Sequence, residues 1–166
     1  MIAYGQTSPT SDWLFSLSAP SLHDLRLDPW SLPSPHFACL LACDAHDMDD
    51  EVIVATANQL FDRGLAYFCA WGPDCQRVHD LVDDVILLRE LDHPNYPEGD
   101  DERYPVMTTW HSEETLDEAL WYLLFAARPD EVYEATCKSR LAISVGNDEW
   151  GAEIEMRFRS AIDMRT

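Results

Sequence analysis

Lysine is nearly absent from this chain. Lys138 stands alone in 166 residues, and with the arginines it makes 11 cationic side chains against 31 carboxylates, a net charge of −20. A sequence-independent nucleic-acid binder displaces counterions from phosphates with clustered Lys and Arg. That cluster is missing, so no direct binding to DNA, RNA or an anionic membrane is expected. The phosphate-cradling patterns GxGxxG and GxxxxGK are missing too, and the Gly72-Pro73-Asp74 turn sets a carboxylate where an anion would sit. There is no CxxC and no HExxH, which removes the strongest metal and redox signatures. No apolar run is long enough to span a bilayer. Residues 13–19 are short and apolar and end in small side chains, but no Lys or Arg precedes them, so they are not read as a secretion signal.

The cysteines, Cys39, Cys43, Cys69, Cys75 and Cys137, are odd in number. Three of them lie in apolar runs, where a free thiol acts as a small hydrophobe. That usage fits a reducing compartment rather than a disulfide framework, and a cytoplasmic location is expected.

The composition that remains suits one globular domain: 46% hydrophobic and 11% aromatic residues can furnish a core. Residues 1–35 are rich in Ser and Pro and are expected to form an arm packed on the domain, anchored by Trp13, Phe15 and Trp30, with an edge strand over 12–17. From residue 36 to 166 a regular alternation predicts a single α/β domain. The apolar runs 36–43 and 65–71 read as strands buried on both faces. Strands are also expected over 104–110 and 141–145. Helices are expected over 47–63, capped by Asp47 or Asp49 and stopped by Gly64, from Pro73 to about residue 90, after a Thr115/Glu118 capping box, and over 150–164. Residues 92–103 read as a charged loop. Helix-length spacers between strands imply right-handed crossovers over a mainly parallel sheet of about four to five strands. The expected architecture is a three-layer sandwich, flavodoxin-like or Rossmann-like.

In such folds ligands bind beyond the carboxyl ends of the strands. Asp44, His46 and Asp47 follow the first parallel strand, Trp71, Asp74 and Cys75 the second, Trp110 and His111 the third, and Asn147 and Asp148 the fourth. Helix caps alone call for Asp, Asn, Ser and Thr there, but caps do not call for two Trp and two His. Candidate chemistry is therefore a Cys75 nucleophile at a helix start, with His111 or His46 as base and Asp44 nearby. A second candidate is a metal site drawn from Asp44, His46, Cys75, His79 and His111, with Cys75, His79 and His111 as its main candidates and the first two of these spaced i, i+4. No cofactor is implied. The carboxylates Asp80, Asp83 and Asp84, and Glu113, Glu114 and Asp117, read as solvated helix edges available to a basic partner.

Two segments, CAWGPDCQRVHDLVDD from Cys69 and VMTTWHSEETLDEALW from Val106, resemble an uncharacterised family of small bacterial proteins with AWG-x-DC and MTTWH segments. The resemblance spans about residues 36–125. It implies a bacterial cytoplasmic protein and singles out Trp71, Asp74, Cys75, Asp80, Trp110 and His111, but brings no assigned activity. The functional expectation is a small acidic accessory or immunity-type protein that docks a more basic protein, with binding residues among Trp71, Asp74, Asp80, Asp84, Trp110, Glu113, Glu114 and Asp117. The alternative is an enzyme or small-ligand binder that uses Trp71, Cys75, Trp110 and His111.

Overall fold

A computed structural model describes residues 1–7, 10–26, 32–91 and 105–163. Trp30, the loop at 92–103, the first residue of the strand expected over 104–110 and the last of the helix expected over 150–164 lie outside the described residues.

Six strands form one sheet: β1 (Ile2–Gln6), β2 (Trp13–Ala19), β3 (His36–Ala42), β4 (Leu65–Trp71), β5 (Met107–His111) and β6 (Cys137–Val145). Their order is β1-β2-β6-β3-β4-β5. Every pairing is parallel except β1 with β2. The four strands predicted from helix-length spacers are thus parallel neighbours, β6-β3-β4-β5. The count of four to five is corrected to six. The strand expected at the edge is β2, and it lies inside the sheet, bonded along its whole length to β6. The outer place goes to β1, five residues containing a glycine, too short and irregular to register as a strand in sequence.

Four helices, α1 (Asp50–Asp62), α2 (Cys75–Leu91), α3 (Leu116–Phe125) and α4 (Asp148–Asp163), cover the sheet. Strand periodicity decides which face each one meets. In β3, Phe37, Cys39 and Leu41 join Ile53, Ala57 and Leu60 of α1 and Val78, Val82 and Val85 of α2. The alternating Ala38, Leu40 and Ala42 join Leu120 and Leu123 of α3 and Ile154 and Phe158 of α4. The sheet therefore lies between two helical pairs. Burying each Leu or Phe of these layers contributes roughly 1.5–3 kcal/mol.

Local signals explain the boundaries. Thr115 and Glu118 form the predicted capping box of α3. Gly64 ends α1 at φ +91°, where a Cβ would strike the Pro35 carbonyl. Helix α1 starts at Asp50 rather than 47, with Asp49 at the cap position. β6 starts four residues before its predicted 141. Its polar beginning, Cys137-Lys138-Ser139-Arg140, conceals a strand whose Cys137, Ser139 and Arg140 are buried. No helix among the described residues is long and apolar enough to cross a membrane.

Candidate functional site

The carboxyl ends of β3, β4 and β5 lie side by side, with Ala42 opposite Trp71 and Trp71 opposite His111. The predicted residues thus share one edge of the sheet, but the pleat divides them. Thr108 and Trp110 point towards α2, and Thr109 and His111 towards α3.

On the α2 side, Trp110 lies against His79 with ring centroids 4.6 Å apart. The Thr108 hydroxyl donates to Asp83 Oδ1 at 2.7 Å and sits 3.1 Å from His79 Nε2. His79 Nδ1 lies 3.2 Å from Asp80 Oδ1. With its proton committed to Asp83, the Thr108 oxygen is left to accept from His79, so the cluster knits α2 to β5 and does not arm a nucleophile. His79 is buried, whereas Trp110 stands 45% exposed in this cluster with exposed Asp80 and Asp83; Asp84 is exposed on α2 without a contact to it among the described residues.

On the α3 side, His111 is buried, 4.7 Å from the Tyr122 ring. Its Nδ1 is 3.5 Å from Glu114 Oε1, and its Nε2 is 3.3 Å from the Thr109 hydroxyl. Burial lowers its pKa from the ordinary 6.5, and the Glu114 carboxylate opposes that shift. The Trp71 indole N–H donates to the Glu114 carbonyl at 2.8 Å, and its ring meets Trp150 edge-on at 5.2 Å. Trp71 and His111 therefore share a cluster with Glu114, a predicted binding residue, and with Tyr122 and Trp150, two residues not singled out in the sequence. Trp110 is not part of it.

Cys75 opens α2 and is 1% exposed. Its thiol belongs to the α2 face, where the backbone N–H of His111 approaches it. The His111 ring lies on the other face of the sheet. Burial raises the thiol's pKa, against the pull of that N–H. Asp44 and His46 lie in solvent with Nδ1 and Oδ1 3.0 Å apart, and the His46 backbone amide, followed by its ring, lowers the Asp44 carboxyl pKa. Asp74, at φ +59°, is bound to Arg77 Nε at 2.6 Å. Arg77 also bonds Asp50 and the carbonyls of Ala45 and Met48, tying the turn after β3 to both helix starts. One arginine inside an amphipathic helix gives no sequence signal of such a role. Glu113, Glu114 and Asp117 are exposed, and Asp117 lies 3.3 Å from Arg157. Among the described residues no three His, Cys, Asp or Glu side chains gather as a metal would need. Cys75, His79 and His111 face different neighbours.

A separate cleft of about 390 Å³ opens at the carboxyl ends of β2 and β6, lined by Ser18, Pro20, Ser144, Gly146 and Asn147. Its lining includes none of Trp71, Cys75, Trp110 and His111.

What these features define is an acidic α/β domain with an aromatic residue displayed at one margin of its sheet. Residues 19–161 match the model of the family described as Domain of unknown function (DUF7684), and the chain belongs to that family. The match reaches well beyond the 36–125 of the motif resemblance, taking in the end of β2 and most of α4. No curated protein and no solved structure matches the chain.

Proposed function

We propose that this is a partner-binding protein, a small acidic accessory or immunity-type protein of the bacterial cytoplasm that docks a more basic protein. The observation that carries the reading is the placement of Trp110. It is a large aromatic, 45% exposed, at a sheet margin, and its neighbours His79 and Thr108 are bonded to exposed Asp80 and Asp83. Interface anchors are typically aromatic and sit within a polar rim. A net charge of −20 adds long-range attraction for a cationic partner. Helices on both sheet faces and the reversal of strand progression beside β3 favour a doubly wound, flavodoxin-like or Rossmann-like ancestry, although β6 sits between the first two parallel strands, unlike the flavodoxin order.

The enzyme alternative draws less support. Its cluster of Trp71, Cys75, Trp110 and His111 is split by the sheet, and its nucleophile is buried with a raised pKa.

The test is the rate of association with a partner purified from the native host. Steering by charge is screened over roughly 8 Å at physiological salt. The on-rate should fall steeply with salt while the off-rate changes less. Charge reversal at Asp80 and Asp84, or at Glu113 and Asp117, should slow association without unfolding the domain. Glu118 is left intact because it caps α3. An on-rate flat from low to high salt defeats the proposal.

A further inference from the structure

The sheet has two margins, and they are built differently. At β1 the register shifts between Ala3 and Gly5, and Gly5 sits at φ +121°. Such a bulge twists an edge away from strand addition. β5 has no such device. Its register with β4 is regular from Met107 to His111, and it contains neither lysine nor proline. Among the described residues β4 is its only strand neighbour. In a parallel ladder alternate residues of an edge strand direct their N–H and C=O groups away from the sheet. Among the described residues no strand faces the outward half of the β5 backbone, next to exposed Met107 and Trp110.

Building on the docking reading, we infer that β5 binds its partner by strand addition, taking up an extended, lysine- or arginine-bearing segment as a seventh strand. Charge selects that occupant. Asp80 and Asp83 flank β5 on the α2 side, and Glu113 and Glu114 follow it directly. A cationic side chain on the α2 side of the added strand would meet the Trp110 ring and the Asp80 and Asp83 carboxylates, which lie on the same side. A second copy of this chain fits poorly, because edge-to-edge pairing at β5 would oppose like charges on two molecules of −20 each. Backbone pairing would supply affinity and alternate side chains the selection, as in other strand-addition complexes.

The probe is a blocked peptide of alternating lysine and valine. Three companions go with it: the same peptide N-methylated at consecutive amides, so that neither of its edges can pair, its lysine-to-glutamate counterpart, and the protein variant Trp110→Ala. Binding is read by Trp fluorescence and by amide hydrogen exchange across β5. The parent peptide should bind at low salt and slow exchange at alternate β5 amides. N-methylation and Trp110→Ala should each weaken it by about tenfold or more, the loss expected of a few hydrogen bonds or an aromatic anchor. The glutamate peptide should not bind. If the parent peptide fails to bind, or if β5 exchange stays unchanged, strand addition is wrong. Salt-dependent binding that survives N-methylation overturns strand addition and leaves acidic docking standing, whereas binding indifferent to salt overturns the docking reading itself. Concentration-dependent dimerisation that protects β5 would assign the edge to a second copy and refute the basic-segment proposal.

Discussion

Replacing Arg140 by methionine should destabilise the domain severely. The guanidinium places Nε and Nη2 at 3.1 and 3.0 Å from Asp12 Oδ2 and donates from Nη1 to the Ala127 carbonyl at 2.7 Å. Asp12 is 4% exposed and Arg140 8%. Removing the cation strands a carboxylate in the interior and orphans a carbonyl. Breaking a buried pair from one side costs about 3–5 kcal/mol. For a domain of this size that corresponds to a fall in Tm of about 10 °C, at roughly 2–4 °C per kcal/mol. Asp12→Leu alone should cost a similar amount by leaving the guanidinium buried. The double variant should recover most of the loss, because both buried charges are then gone. Urea midpoints for the four proteins complete the cycle. If Arg140→Met costs under about 1 kcal/mol, the usual worth of a surface pair, the pair is solvated and does not tie the start of β2 to β6.

Two other outcomes are expected. Gly72→Ala should destabilise by more than about 1 kcal/mol in the same urea assay, since Gly72 holds φ +112° and an added Cβ would strike the Cys43 carbonyl; an unchanged midpoint would mean that this turn is relaxed. His111 has its pKa lowered by burial, with Glu114 pulling it back and Tyr122 packed on the ring, and burial lowers His36 as well. A group with a depressed folded pKa stabilises the fold above its ordinary value, here 6.5, and that contribution is lost as pH falls through the folded value. Stability should therefore decline from about pH 6.5 downwards, and His111→Gln should flatten part of that slope, as thermal melts across the range would show.

The alternation of apolar runs with helix-length spacers made the parallel core legible, because β3 and β4 are buried on both faces and carry no polar interruptions. The capping box at Thr115 was legible for a similar reason, as its two members interact locally. What escaped depends on distant partners. β1 is a strand only because β2 pairs with it. The beginning of β6 reads as polar because Arg140 is neutralised by Asp12, which lies 128 residues away along the chain. The shared sheet edge was foreseen. The division of its residues between two faces depends on the register of β5, and this the sequence leaves open until the pairing with β4 is known.

That division governs how the MTTWH segment is understood. Successive strand residues face opposite ways, so Trp110 and His111, adjacent in sequence, belong to different environments. His111 is enclosed by Tyr122, Thr109 and Glu114, where its ring can help hold α3 to the sheet. Trp110 covers His79 with part of its surface and leaves the rest to solvent. A core needs no exposed indole, and an unpaired edge strand beside one is a hazard that soluble proteins ordinarily blunt with lysine, proline or a bulge. β1 carries the bulge, while β5 carries none of the three. On the docking proposal, the carboxylates described around β5 would repel a second copy at long range and attract a cationic strand by the same field.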